Sequence, residues 1–264
     1  MITLVDALGF VSGGLVGFVL GLIGGGGSIL AVPLLVYGVG VATPHVAIGT
    51  SAVAVGLAAL ANLIGPARAG LVKWRCAVLF AIAGVVGAIG GSTLGKQVDG
   101  QMLLTLFGLL MLVIAAATLF KADSEGNPDV RLTRTSAPVL APLLSAYGVA
   151  VGTLSGFFGI GGGFLVVPGL MAATGMPIVN AIASSLVAVA AFGFTTAANY
   201  TLSGFIDWRL VAVFVAGGIV GGLGGRWLTT QLARNRRHLT RVFASIVGTV
   251  GLYVVWRGVA ALTA

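Results

Sequence analysis

Apolar residues run along this chain in long unbroken blocks. They do not alternate as in a half-buried strand, nor do they mark one stripe as on a surface helix. The blocks predict full-length helices over residues 4–23, 46–64, 76–95 and 102–120, then over 137–158, 178–200, 210–229 and 240–260. Each is close to the roughly 20 residues that cross the hydrocarbon core of a bilayer. Two shorter apolar runs, 29–41 and 164–174, follow clusters of glycine. They are too short to span easily and are expected as half-helices or re-entrant arms. Pro33 and Pro168 are expected in the first turn or so of these arms, where proline costs least. A polar stretch, residues 121–136, separates a first membrane unit, 1–120, from a second, 137–264. The fold class is therefore an all-α polytopic membrane protein of about eight transmembrane helices, with two glycine-broken ones.

The glycine clusters are Gly24-Gly25-Gly26-Gly27-Ser28 and Gly159-Ile160-Gly161-Gly162-Gly163. Several glycines in succession break a helix, because glycine has the most backbone freedom to lose and no side chain to pack. The clusters stand 135 residues apart, and at that offset 16–33 matches 151–168 at 9 of 18 positions. The repeat continues at an offset of 134. There Ala47-Ile48-Gly49-Thr50-Ser51 pairs with Ala181-Ile182-Ala183-Ser184-Ser185, and 70–94 shares 10 of 25 residues with 204–228. The chain is thus a duplication, with a broken helix at the same place in each half. That is the best pointer a sequence gives to a transporter binding site.

Charge decides how the halves are related. If only the eight long segments cross, the basic residues divide 8 to 6 between the two faces. If each half crosses an odd number of times, one face collects Arg68, Lys73, Arg75, Lys121, Arg131, Arg134, Arg226, Arg234, Arg236, Arg237 and Arg241. The other keeps Lys96, Arg209 and Arg257, a division of 11 to 3. The positive-inside rule favours the second count. It makes the halves inverted repeats with both termini outside and a cytoplasmic basic loop over 234–241. The net charge of +8 then reads as topological anchoring, and nucleic acid is not an expected partner. Apolar residues at 58% and charged residues at 8%, with a mean hydropathy of +1.12, leave no room for a soluble domain. The lone Cys76 excludes an internal disulfide and a multi-cysteine metal site. The first apolar segment lacks a basic flank and is expected as an uncleaved span.

Two copies of G-x-x-G-x-G-G-[SG]-x-L-x-V-P, each followed by a small [GA]-[TS]-S element and later by G-x-x-x-W-R, resemble the TauE/SafE sulfite-exporter family of membrane permeases. The likeness runs from about Gly14 to Arg257. It implies a bacterial inner-membrane, multi-pass carrier for a small anion, often one of sulfur such as sulfite, a sulfonate or sulfoacetate. The bilayer and a small anion are the partners expected. No cofactor and no metal are implied, and assembly into a homo-oligomer stays open.

The residues suit that chemistry. The six acidic residues, Asp6, Asp99, Asp123, Glu125, Asp129 and Asp207, all lie at segment ends or in loops. A mid-span carboxylate would repel an anion or serve a proton relay. A helix starting after Ser28 or Gly163 presents unpaired N–H groups and a partial positive charge, and glycine lets an anion approach that backbone. Gly24, Gly25, Gly26, Gly27, Ser28, Gly159, Gly161, Gly162 and Gly163 are therefore the expected anion site. Tight helix packing is the competing reading, though packing needs no glycines in direct succession. Thr50, Ser51, Ser184 and Ser185 could add hydroxyl donors, or simply bond back to their own helices. His45 can titrate near neutrality and could couple a proton. Asn62 and Asn199 lie late in equivalent segments as pathway or bridging residues, and Arg68 could recruit the anion or anchor its helix. Gly87, Gly91 and Gly95, with Gly217, Gly221 and Gly225, form small-residue faces for close helix contact. Trp74 and Trp208 read as interface anchors. An intramembrane enzyme and a membrane scaffold are the alternatives. No nucleophile–base set lies within the spans, and scaffolding does not require duplicated breaks.

Overall fold

The computed structural model describes residues 4–23, 25–120, 132–133, 135–232 and 236–263. Most of the linker, Gly24 and Arg234 fall outside that set. Among the described residues there is no strand. The first half comprises α1 (Leu4–Ile23), a 3₁₀ segment (Gly25–Leu30), α2 (Ala31–Pro33), a π segment (Leu34–Gly38), α3 (Pro44–Arg68), α4 (Trp74–Gly95) and α5 (Gly100–Phe120). The second comprises α6 (Ala137–Phe158), α7 (Gly163–Thr174), α8 (Ile178–Thr201), α9 (Trp208–Leu232) and α10 (Arg236–Thr263). Among the described residues, α1, α3, α4, α5, α6, α8 and α9 are long and apolar enough to cross a membrane, and α10 carries a shorter apolar stretch, Ala244–Ala260. Because α10 starts at Arg236, much of the expected basic loop is the first turns of a helix.

The halves are interlocked. The first helix of each half packs along the fourth helix of the other, α1 on α9 and α6 on α4. Glycine explains how closely. A methyl group on Gly13 would overlap the carbonyl of Phe214, one on Gly91 that of Thr153, and one on Gly152 that of Gly84. Backbones in such contact exclude any β-carbon, as the small-residue faces lead one to expect. The outward sides of these helices carry bare aliphatics such as Ile82, Val86, Val149 and Leu223, which suit lipid.

Contacts in register give the helix directions. Gly9 meets Leu210, Gly13 meets Phe214 and Gly17 meets Gly218, so α1 and α9 are parallel. Gly148, Gly152 and Gly156 step along Phe80, Gly84 and Ala88, so α6 and α4 are parallel. Gly49 meets Tyr200 while Gly56 meets Gly193, so α3 and α8 are antiparallel. The α4 helix starts where α8 starts, Lys73 N donating to Ser184 Oγ at 2.9 Å, and ends where α8 ends, Lys96 beside Asn199. By the same logic α9 starts at Thr50 and passes Asn62, so it runs with α3. Gly258 on Thr105 and Gly248 on Ala115 make α10 antiparallel to α5. The long helices α6, α8, α9 and α10 thus run opposite to their counterparts α1, α3, α4 and α5, which is an inverted repeat. Since α1 and α3 point the same way, the segment 25–38 must carry the chain back between them.

This arrangement gathers Arg68, Lys73, Arg75 and the helix ends bearing Arg226, Arg236, Arg237 and Arg241 on one face. Lys96, Arg209 and Arg257 lie on the other, with Asp6, Asp99 and Asp207. Asp6 pairs with Arg209 at 2.6 Å. Asp99 and Asp207 cap α5 and α9, their carboxylates accepting from Gln101 N and Leu210 N. The arms differ from expectation at one point. Pro168 is the sixth residue of α7 rather than a first-turn residue, and Pro33 stands where α-helix gives way to π-helix. Proline removes a ladder bond in such positions and loosens the winding.

Candidate functional site

α6 stops at Phe158 because Gly159 turns left-handed, at φ 65°, and caps it. Gly159 N donates to Gly156 O at 3.2 Å and Ile160 N to Ser155 O at 3.3 Å. Gly161 and Gly162 are left-handed too, at φ 63° and 66°, a conformation that penalises any other residue. Space excludes a side chain as well. A methyl on Gly161 would lie 2.7 Å from Val55 Cγ1, and one on Gly162 would lie 2.6 Å from Ser155 Oγ. Val55 and Val189, Gly161's neighbours, are halfway along α3 and α8, so this turn sits near mid-membrane. From there α7 climbs toward the basic face and ends at the left-handed Gly175.

The start of α7 has no side-chain cap. Leu165 N and Val166 N bond back to Gly162 O, both at 2.8 Å. Among the described residues the N–H groups of Gly161, Gly162, Gly163 and Phe164 find no acceptor. A helix start always leaves such donors over, but these residues are buried, where an unpaired N–H costs about 1–3 kcal/mol. The 3₁₀ segment of the first half lies against α7. Ser28, at the position equivalent to Gly163, is fully buried, and Gly27 rests on the backbone of Leu20 and Val16. The two glycine breaks therefore meet. Gly24 is outside the described residues, and of Gly25 and Gly26 only the backbone path is described.

The four hydroxyl residues do not gather at that point. Thr50 Oγ1 accepts from Asp207 N at 3.1 Å, and Ser184 Oγ accepts from Lys73 N at 2.9 Å. These are the same bond in the two halves: each pins the start of the partner half's Trp-Arg helix. Ser51 Oγ donates to Ile48 O at 2.9 Å and also faces Gly159 O at 3.3 Å, while Ser185 Oγ donates to Ile182 O at 2.8 Å. Because α3 and α8 are antiparallel, the Thr50–Ser51 and Ser184–Ser185 pairs are separated by about 20 Å along the bundle at 1.5 Å per residue. Ser51 is thus the described hydroxyl of the four that touches a break.

His45 sits at the start of α3, on the face opposite the basic one, its ring 5.5 Å from Phe205 and 6.4 Å from Tyr200. Its Nδ1 and the Tyr200 hydroxyl are buried with no partner among the described residues. Asn199 bridges helices. Its Nδ2 donates to Ser92 Oγ at 2.6 Å and Thr93 Oγ1 at 3.0 Å, and it accepts from Lys96 Nζ at 2.6 Å. Asn62 Nδ2 donates to Ala58 O at 2.8 Å; the residue truly equivalent to it is Thr196. Arg68 is exposed at the end of α3 on the basic face. Two hydroxyls that sequence reasoning passed over, Ser155 and Thr196, are fully buried and have no partner among the described residues. The signal available was the repeat itself, since Ser155 replaces Leu20. Among the described residues no group of three His, Cys, Asp or Glu side chains gathers that could hold a metal.

A carbon-dense bundle whose mid-membrane break offers bare N–H groups and no charged side chain is suited to hold a small anion and let it go. The comparisons agree on the broader class. A model of the family described as Sulfite exporter TauE/SafE matches residues 9–254. A probable membrane transporter protein of Xylella fastidiosa strain Temecula1 is 51% identical over 255 residues, 96% of each chain. Bacillus subtilis YunE, also named a probable membrane transporter protein, is 28% identical over 94% of this chain and 97% of its own. A Methanocaldococcus jannaschii protein of the same description is 23% identical over 91% and 93%. No solved structure matches. With its duplicated glycine motif, inverted halves and a family match running almost end to end, this multi-pass membrane protein is a transporter belonging to the sulfite exporter TauE/SafE family.

Proposed function

We propose that the protein carries a small anion, a sulfur oxyanion or organosulfonate, out of the cytoplasm through a site between the two glycine breaks. The observation that carries this reading is the run of four N–H groups at the start of α7 that find no acceptor among the described residues, on a helix packed against the 3₁₀ segment of the other break. Backbone donors stabilise an anion in low dielectric without the fixed cation that would hold it too tightly to release. Gly26, Gly27 and Ser28 complete the site from the first arm, and Ser51 flanks it. Thr50 and Ser184 support it by fixing α9 and α4. The basic face is cytoplasmic by the positive-inside rule, which puts α7 on the inward side of the site and His45 on the outward side. Two experiments test the reading. Thermal unfolding of the purified protein should shift upward with sulfite or methanesulfonate and not with a neutral sulfone of similar size; equal response to both would remove the anion site. Single cysteines at Asn127, Asn235 and Ala264 should label from the cytoplasm, the cytoplasm and the outside respectively. Labelling of Asn127 and Asn235 from opposite faces would overturn the orientation.

A further inference from the structure

Hydroxyls inside this bundle follow a rule. Ser92, Thr153, Thr174, Thr195 and Thr201 each donate to a carbonyl three or four residues earlier on their own helix, as membrane hydroxyls generally do. Ser155, like Thr196, does not. It lies in the last turn of α6, is fully buried, and its Oγ has no partner among the described residues. The side chain borders the start of α7, where a methyl on Gly162 would lie 2.6 Å from its Oγ. Four unpaired N–H groups lie in the same turn. Backbone and hydroxyl donors thus adjoin one another at this turn, all of them neutral.

The charge available there is limited. Every described Lys, Arg, Asp and Glu lies at or near a helix end, and α7 itself has none. The positive end of a helix is equivalent to roughly half an elementary charge, so even two such ends amount to about one. A doubly charged anion would keep about one unit uncompensated in a medium of low dielectric, where that is costly. We propose that Ser155 is a ligand-contacting hydroxyl donor, and that the site selects singly charged oxyanions over doubly charged ones of the same shape. This rests on the anion reading of the glycine breaks and narrows it. Hydrogen sulfite or an organosulfonate would be carried, while sulfate and fully ionised sulfite would be excluded. The selectivity follows from counting donors, because rejecting a second charge requires no repulsive group when nothing can balance it.

Methanesulfonate and sulfate are close in shape and differ in charge, so they serve as probes. Binding to the purified full chain in lipid nanodiscs would be measured at one pH for the wild type and for Ser155→Ala. Methanesulfonate is expected to bind at least about tenfold more tightly than sulfate. Ser155→Ala is expected to weaken methanesulfonate severalfold. It should leave the ligand-free unfolding temperature unchanged or raised, because it deletes a buried hydroxyl that lacks a partner. A hydroxyl with only a structural role would lower that temperature and leave affinity alone. Sulfate binding as tightly as methanesulfonate, or Ser155→Ala binding normally, overturns this inference and leaves the anion site standing. If neither probe binds the wild type, the anion reading itself falls and takes this inference with it.

Discussion

The two arms descend from one motif, yet they are built differently. In the second half Gly159, Gly161 and Gly162 take left-handed conformations and launch a regular twelve-residue helix, α7. In the first half none of the described break glycines has a positive φ, and the segment passes from 3₁₀ to α to π winding within 14 residues, 25–38. Elsewhere the halves agree closely. Gly40 and Gly175 are both left-handed, as are Gly70 and Gly204, and Thr50 and Ser184 make the same bond. Among the described residues the difference in backbone conformation is therefore clearest at the breaks. The scaffold is held symmetric by packing across the halves, while the breaks have been free to specialise. Ser155 faces one break where Leu20 stands at the other, and Ser28 occupies the place of Gly163.

Valine at equivalent break positions gives the sharpest contrast. Gly161→Val forces a β-branched residue into the left-handed region and against Val55, and is expected to cost more than about 3 kcal/mol and to abolish anion binding. Gly26→Val should also lose binding, by blocking the backbone, but without the left-handed strain, so its unfolding temperature should fall less. Equal losses of stability would mean that the arms share one conformation after all. The packing faces provide the next effect. Gly91→Ala drives a methyl into the Thr153 carbonyl and should destabilise by about 1–3 kcal/mol. Gly90, next along the same helix, meets nothing within 4 Å, and Gly90→Ala should stabilise by up to about 1 kcal/mol. Denaturant or thermal unfolding of the two variants decides whether the face or the helix matters.

Smaller effects test the symmetry. Thr50→Val and Ser184→Ala each remove one acceptor from a helix start and should cost similar amounts, about 0.5–1.5 kcal/mol, with anion affinity little changed. A loss of affinity in either, measured on folded protein, would restore them as direct donors. Smallest of all are Asp99→Asn and Asp207→Asn. Asparagine caps a helix nearly as well as aspartate, so both should unfold within about 0.5 kcal/mol of the wild type and transport normally. Abolished transport in a folded Asp207→Asn protein would show a proton relay where none is expected.

The fold was legible because hydropathy in a membrane protein is nearly a map of its helices. The observed boundaries of α1, α4, α5 and α6 differ from the expected ones by at most two residues. The inversion was legible in the distribution of basic residues alone. The roles of Thr50 and Ser184 were not, since each depends on a contact with a helix more than a hundred residues away that no local pattern announces. The same motif that marked Thr50 and Ser51 as a pair hides that one faces a cap and the other a break. Asn62 and Asn199 looked like partners because both are asparagines late in a helix. The repeat offset in fact makes Asn62 the counterpart of Thr196, and Asn199 belongs to a polar bridge with Lys96 and Ser92.

The packing of α1 on α9 has a consequence for how the chain is made. Gly13 and Phe214, in backbone contact in the finished bundle, are about two hundred residues apart in sequence. A ribosome completing about 5–20 residues per second leaves α1 in the bilayer for at least ten seconds before its neighbour emerges. Through that interval its glycine groove is open to lipid, to other chains or to a chaperone. The first half is accordingly not a folding unit, despite its complete set of helices. Its structure is settled only when the second half arrives to interlock with it, and the two halves supplied as separate polypeptides should find each other for the same reason.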